Sequence, residues 1–470
     1  MILLQTECQN SDELLVSSEA GVDGFKGPDK EAIDPLPLET YQPRSSPQLL
    51  SLPTEILCNI LDAIPLTRTL AVCCRICKTL LPLVLSRLYR TLVLRSSTRG
   101  SALSPDAPTI LNPQSSQILN TLSSSPYGIS HYPTKLDFDL TSAFLAAQIG
   151  ETLATVLKQC RNVVELKLGK GDRGHGMSFV SLSEMLLRME RDNAVQGLRL
   201  KVLRIEECVG NGTTLANVLV KLPHLVDLRI GQFLLEPSDF DDVSPPPLPT
   251  FRLRTFVAKY RLTPFAFDFC TSSSSDTLRS IDVPINERTH LDLSKCSALT
   301  EVTLSLSLIS SITTSITQTS YFSNKRSNNL VSSSPPASVV PLLAKLATNF
   351  RSTLESIPYL THLSIKGTWD VGDPEPLDIV RHASLLSHLS CSTIETLSIK
   401  TELNSIALVE WLDGMETAGG GRGKLRKLEL WQKSTFSAPK REFQRKVREK
   451  VQDKANERGI KCEWFKYEKW

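Results

Sequence analysis

The stretch "LKVLRIEEC", residues 200–208, decides the fold. Leu203 and Ile205 stand two positions apart with Arg204 between them, and this period-two alternation predicts a strand with one apolar face. A leucine three residues earlier completes an L-x-x-L-x-L pattern. The pattern recurs at "VVELKL" (163–168), "LVDLRI" (225–230), "LRTFVA" (253–258), "LRSIDV" (278–283), "LTEVTL" (299–304), "LTHLSI" (360–365), "IETLSI" (394–399) and "LRKLEL" (425–430), and more weakly at "KLDFDL" (135–140).

Segments of helical period, such as "TSAFLAAQIGETLATVLKQC" (141–160), separate these predicted strands. Strands alternating with helices about every 20 to 30 residues indicate an α/β solenoid, in which parallel strands stack, because no single repeat buries its own apolar face. "LDLSKC" (291–296) echoes the pattern, but it lies too close to "LTEVTL" (299–304) for both to be repeat strands. An α/β protein with leucine-rich strands that is not a solenoid is the alternative.

The best copy of the pattern resembles a leucine-rich repeat. Leu200, Leu203, Ile205 and Cys208 occupy the L-x-x-L-x-L-x-x-C positions of that family. The resemblance extends in irregular form over about residues 134–470. It implies a leucine-rich repeat array with a parallel sheet.

The net charge, the lengths of the apolar stretches and the cysteine count limit which partners and compartments are expected. The chain has 470 residues and a formal net charge of +3, too small to predict nucleic acid or an anionic membrane as its main partner. The sequence contains no uncharged apolar stretch of about 18 residues, so no membrane span is expected. The segment "MILLQTECQN" does not look like a secretory signal. The 11 cysteines are odd in number and form no disulfide framework, which predicts a reducing compartment, cytoplasmic or nuclear.

Three polar tracts of the sequence are expected to lie outside the packed core. Residues 1–48 are expected to be a disordered lead-in, and flexible inserts are expected at about 95–132 and 309–338. These polar tracts carry too few apolar side chains to offset the entropy of ordering. The remaining domains are a helical module at 49–90 and a repeat domain at 91–470.

The helical module carries the densest apolar segment of the chain. Pro53 suits a helix start, Glu55 lies in the first turn, where the helix dipole favours an acid, and Pro65 ends the helix. A second helix is expected from about Arg68 through "TLAVCCRICKTLL" (69–81), followed by a change to period two in "RLYRTLVL" (87–94). The apolar stripe of the first helix consists of Ile56, Leu57, Ile60, Leu61 and Ile64.

This module resembles the F-box. Leu52, Pro53, Glu55, Ile56 and Leu57 fit the family's L-P-x-E-[IL]-L opening, Ile60 and Leu61 continue it, and Cys73, Cys74 and Arg75 fit its V-C-[KR] segment, whereas Cys77 replaces the usual aromatic residue. The resemblance, to fungal-type F-box and leucine-rich repeat receptors, implies docking to a Skp adaptor and through it to a cullin-RING ubiquitin ligase. The residues expected to bind the adaptor are Leu52, Pro53, Glu55, Ile56, Leu57, Ile60, Leu61, Cys74 and Arg75. The alternative is that these helices only cap the repeat array.

The predicted function is a non-enzymatic one: the substrate-recognition subunit of a Skp-cullin-F-box ubiquitin ligase. A leucine-rich repeat scaffold acting outside a ligase is the alternative. Outward-facing residues of the L-x-L strands are the candidates for binding an unknown protein substrate. They are Glu165, Lys167, Arg204, Glu206, Asp227, Arg229, His362, Ser364, Lys427, Glu429 and Trp431. Trp431 is the favoured anchor. Its alternative is packing under the helix that is predicted to close the array, at "KREFQRKVREKVQDKANERG" (440–459).

No catalytic, cofactor-binding or metal-ligating residue is nominated, and no cofactor is expected. Gly169, Gly171 and Gly174 have G-x-G-x-x-G spacing, but Glu206 follows too far along to contact a ribose, so a repeat turn is favoured over a dinucleotide site. Cys74 and Cys77 form one C-x-x-C without a second pair, which a helical core explains better than zinc does.

Overall fold

The computed structural model describes residues 52–65, 67–75, 78, 80–95, 111–139, 146–169, 188–189, 191–205, 212–235, 247–286, 291–306, 340–367, 385–389, 393–400, 405–414, 424–433 and 438–467. The chain divides into two compact units. The first, called the helical unit, contains Met1–Leu92 and Ser116–Pro133, and the second, called the sheet unit, contains Val93–Ser115 and Thr134–Trp470. The predicted lead-in at 1–48 and the predicted insert at 309–338 lie outside the described residues.

The described strands form one 12-stranded sheet in which the order of strands follows the order of the chain. Each neighbouring pair from β2 to β12 runs parallel. This arrangement confirms the prediction of a parallel sheet built from successive α/β segments. The strands are β1 Thr91–Arg95, β2 Lys135–Asp139, β3 Glu165–Gly169, β4 Val202–Ile205, β5 Asp227–Phe233, β6 Thr255–Leu262, β7 Ser280–Ile285, β8 Glu301–Leu306, β9 His362–Gly367, β10 Thr396–Lys400, β11 Lys427–Lys433 and β12 Lys461–Tyr467.

Two rows of apolar side chains form the buried face of the sheet. They come from alternate positions of each strand, so the L-x-L pattern sets which side chains are buried. The first row is Leu136, Leu166, Leu203, Leu228, Phe256, Ile281, Val302, Leu363, Leu397 and Leu428, and the second is Phe138, Leu168, Ile205, Ile230, Ala258, Val283, Leu304, Ile365, Ile399 and Leu430. The segment 291–300 forms turns, and β8 is the strand of that region, as the spacing requires.

Helices connect many of the strands. They are α4 Pro113–Ser124, α5 Ala146–Gln159, α6 Gly212–Val220, α7 Pro264–Thr271, α8 Val340–Glu355, α9 Ser405–Gly414 and α10 Ala438–Glu457, with short 3-10 turns at Ile129–His131 and Leu385–His388. Thr263 caps α7, because its hydroxyl accepts a hydrogen bond from the backbone N–H of Ala266. Val451 and Ala455 of α10 are buried, as their i, i+4 spacing predicts.

The helical unit has a core of its own. Its helices α1 Thr54–Asp62, α2 Thr67–Cys73 and α3 Leu81–Leu88 surround one apolar cluster. The second predicted helix is wrong in its length, because α2 ends at Cys73 and α3 begins anew at Leu81. Pro82 lies in the first turn of α3, where a missing N–H is tolerated, whereas a continuous helix would place it in the interior. The buried members of the cluster are Leu57, Leu61, Leu70, Leu80 and Val84.

The structure describes the second half of the segment in which a flexible insert is expected, about 95–132. Residues 111–132 are ordered, with α4 and a 3-10 turn inside them, and Leu111, Leu122 and Ile129 are buried. Ser115 accepts a hydrogen bond from the backbone N–H of Arg95 over 2.8 Å, which ties the start of α4 to the end of β1. Along the described part of the chain, no helix is long and apolar enough to cross a membrane.

Candidate functional site

The helical unit exposes apolar side chains on two helices. Ile56 and Ile60 of α1 are 44% and 39% exposed, and Val72 of α2 is 54% exposed. Ile56 and Ile60 lie one helical turn apart and therefore share a side of α1. Leu57 and Leu61, one position further along, face the core instead. The predicted five-residue stripe is thus divided into a buried side and an exposed side.

The other residues expected to bind the adaptor differ in exposure. Leu52 and Cys74 are partly buried and pack against the helical core. Pro53 precedes α1, where its carbonyl accepts hydrogen bonds from the backbone N–H groups of the first turn, and Glu55 in that turn is exposed. Arg75 is exposed after α2. The nine residues therefore belong to one small unit, and the exposed ones can contact a partner directly.

The face of the sheet opposite the apolar rows is polar, and it is called the polar face here. It carries the odd-numbered positions of β2, β3, β11 and β12 and the corresponding positions of the strands between them. The predicted substrate-binding residues that the structure describes all lie on this face. Glu206 lies outside the described residues, as does most of the glycine-rich loop after Gly169.

Ion pairs neutralise most charges at the N-terminal end of the polar face. Glu165 contacts Lys135 at 2.9 Å and Arg204 at 3.4 Å. Burial alone would raise the pKa of the Glu165 carboxyl, but the hydrogen bond from Lys135 and the charges of Arg204, Lys135 and Arg229 outweigh it and hold this pKa below its usual value. Arg229 pairs with Asp227 at 3.2 Å on its own strand.

Charges at the C-terminal end of the polar face are also mostly paired. Lys427 contacts Glu429 at 2.8 Å and Glu463 at 2.9 Å, so one lysine bridges β11 and β12. Lys366 of β9 contacts Asp282 of β7, two strands away. His362 shares a hydrogen bond of 2.8 Å with Thr361 through its Nδ1 atom.

Trp431 lies on the polar face and stacks against Phe465 of β12. The ring centroids are 4.9 Å apart and the planes differ by 23°. The ammonium group of Lys400 lies 4.8 Å from the centroid of the Trp431 ring, a cation–π contact. The tryptophan beside the closing helix α10 is instead Trp464, whose ring lies 5.2 Å from the guanidinium carbon of Arg448.

Two buried hydroxyl groups on the polar face have no hydrogen-bond partner among the described atoms. They belong to Ser364 of β9 and Ser398 of β10, which are partners in the strand register. Ser398 is only 6% exposed. Because a buried hydroxyl without a partner destabilises a fold, this pair marks a place where the described part of the chain supplies no acceptor.

Sequence reasoning did not nominate Ser398, Lys400 or Phe465, although it located their strands. The alternation in "IETLSIK" already placed the side chains of Ser398 and Lys400 on the same side as Thr396. The missing information was the lateral register, which sets Lys400 beside Trp431. That register depends on neighbouring strands and is not encoded in any one segment.

Neither surface resembles a metal centre, because no group of three or more possible metal ligands occurs among the residues that the structure describes. No protein-family model matches the chain, and the comparison with curated proteins gives no match. The physical features of the two surfaces are therefore the basis for a functional proposal.

Proposed function

We propose that the chain is a substrate receptor of a Skp-cullin-F-box ubiquitin ligase, with an F-box in its helical unit and an irregular leucine-rich repeat domain in its sheet unit. The observation that carries the proposal is the exposed pair Ile56 and Ile60 on a helix whose neighbours Leu57 and Leu61 form the core. Exposed apolar side chains next to each other on one helix favour a partner that covers them. The segment that presents them has the L-P-x-E-I-L form of the F-box.

The proposed mechanism is proximity. The helical unit binds the adaptor, and the polar face of the sheet unit binds a protein substrate. A tethered substrate experiences a raised effective concentration of the ubiquitin carrier, so the receptor needs no catalytic residue of its own. The mixed signs of charge on the polar face favour a shaped protein surface over a polyanion as the bound partner.

Adaptor capture by the purified full-length chain tests the proposal. Ile60→Asp should abolish capture of a purified Skp adaptor, because an unpaired carboxylate buried in an apolar interface costs several kcal/mol. Such a penalty lowers affinity by about a hundredfold or more. The matched control is Val340→Asp, because Val340 is 49% exposed at the start of α8 in the other unit.

The proposal requires that the wild type and Val340→Asp capture the adaptor equally while Ile60→Asp does not. Circular dichroism of all three proteins should be the same, because neither residue is buried. A wild-type protein that fails to capture the adaptor would contradict the ligase function. That result would favour the alternative function, a repeat scaffold that acts outside a ligase.

A further inference from the structure

The C-terminal part of the polar face contains donor groups that lack an acceptor. Ser364 and Ser398 face each other across β9 and β10, and two positions further along the same strands Lys366 faces Lys400. Residues two apart on a strand point to the same side, so all four side chains belong to one patch. The Oγ atoms of Ser364 and Ser398 are buried and have no hydrogen-bond partner among the described atoms.

Lys400 is the lysine of this patch for which the structure records no ion pair among the described residues. Asp282 neutralises Lys366, and Asp282 also accepts a hydrogen bond of 3.3 Å from the hydroxyl group of Ser305. For Lys400 the structure records a contact with the ring of Trp431 but no carboxylate within 4.0 Å in the described part of the chain. Burial, together with the positive charge of Lys366, lowers the pKa of Lys400 despite the opposing charges of Glu429 and Asp282. The negative charge of a bound anion would oppose both effects, because it favours the protonated form of Lys400.

An aromatic surface borders the same patch. Trp431 of β11 contacts Lys400 of β10, and Phe465 is the register partner of Trp431 on β12. Their stacked rings leave Trp431 half-buried on the polar face. Aromatic side chains of this kind supply much of the energy of protein interfaces. The patch therefore combines a lysine without a recorded ion pair, two hydroxyl donors and an aromatic surface.

We infer that this patch binds a segment of a partner protein through an aspartate or glutamate side chain followed by an apolar residue. The carboxylate pairs with Lys400 and accepts hydrogen bonds from Ser364 and Ser398, and the apolar side chain rests on Trp431. The inference deepens the proposed receptor function and rests on it for the statement that the ligand is a protein. It names the class of segment that the sheet unit recognises.

Two features of the patch favour a side-chain carboxylate over a phosphate group or a C-terminal carboxylate. They are its charge and its paired backbone. One lysine without a recorded ion pair matches one negative charge, whereas a phosphate group carries close to two. A C-terminal carboxylate is typically held by a nest of free backbone N–H groups. Here the backbones of β9, β10 and β11 are engaged in parallel pairing, so only side chains are offered to the ligand.

Peptides of defined sequence test the inference on the full-length protein. A dense array carries nine-residue peptides with glycine and serine flanks, amidated C-termini, and a central Glu-Leu, Gln-Leu, Glu-Gly or phosphoserine-Leu pair. Glu-Leu should be retained about tenfold better than Gln-Leu, because a charge-assisted hydrogen bond is stronger than a neutral one. Glu-Gly should be weaker than Glu-Leu, because it cannot cover the Trp431 ring.

Two variants and a control locate the binding on this patch. Lys400→Met should remove the preference for Glu over Gln, whereas Lys345→Met, which changes an exposed lysine of α8, should retain it. Ser398→Ala should weaken Glu-Leu retention while its melting temperature stays equal or rises, because the hydroxyl it removes has no hydrogen-bond partner among the residues that the structure describes. A purely structural serine would change the melting temperature without changing retention.

Several outcomes would overturn the inference. They are equal retention of Glu-Leu and Gln-Leu, an undiminished preference in Lys400→Met, and stronger retention of the phosphoserine peptide. Adaptor capture is measured on the same protein preparations. Loss of peptide preference with adaptor capture retained overturns this inference alone, whereas loss of adaptor capture in the wild type overturns the proposed ligase function.

Discussion

Replacing Leu57 with Ala should destabilise the helical unit far more than replacing Ile56 with Ala, although the two residues are neighbours on α1. Leu57 is 6% exposed and packs in the cluster with Leu61 and Val84. Truncating a buried leucine costs about 2–5 kcal/mol, and the lower half of that range suits a small core that can relax around the cavity. The expected loss for Leu57→Ala is therefore about 2–3 kcal/mol.

Ile56 gives a different expectation because this residue is already 44% exposed to water. Its truncation loses only part of the burial energy of an isoleucine, and alanine has the better helix propensity, which offsets a few tenths of that loss. We expect a change of roughly 0.5–1 kcal/mol for Ile56→Ala.

Hydrogen exchange followed by mass spectrometry measures the local stability of the helical unit in each variant, separately from that of the sheet unit. A loss of 2 kcal/mol speeds local opening roughly thirtyfold, so amides of α1 and α3 should exchange that much faster in Leu57→Ala. Amides of β9 and β10 serve as the internal control and should be unchanged. Equal acceleration by both substitutions would refute the assignment of Leu57 to the core and Ile56 to the surface.

Two further substitutions test the sheet unit. Gly212→Ala should lower its stability by about 1–3 kcal/mol in denaturant unfolding, because the added Cβ would lie 1.9 Å from the carbonyl oxygen of Leu234. Gly414→Ala, with no atom within 4 Å of the added Cβ, is its control and should leave stability unchanged or slightly higher. Glu165→Gln should lower the melting temperature at pH 7 but not once the pH falls below the lowered pKa of Glu165, because a carboxyl with a lowered pKa stabilises the fold only while it is ionised. A difference between Glu165→Gln and wild type that stays constant from pH 7 to about pH 3 would contradict the ion-pair assignment.

The strands of the sheet could be located from the sequence because their periodicity is local. In "LVDLRI" the buried side chains of Leu228 and Ile230 alternate with those of Asp227 and Arg229, and one strand suffices to show this alternation. The helical unit was less predictable. Its α1 has apolar residues on two adjacent sides, and periodicity does not distinguish the side that meets α2 and α3 from the side that meets solvent. Packing decides that difference.

The sequence by itself determined that parallel strands recur, that their leucines face inward, and that charged and polar residues share the opposite face. Each of these follows from the fixed period of a strand. Tertiary structure alone decided which residues of that face are neighbours. Lys366 meets Asp282 across 84 positions of sequence, and Lys400 meets Trp431 across a separate helical segment. Such pairs depend on the lateral register of strands that are far apart in the chain, and the register is set by the packing of the whole sheet.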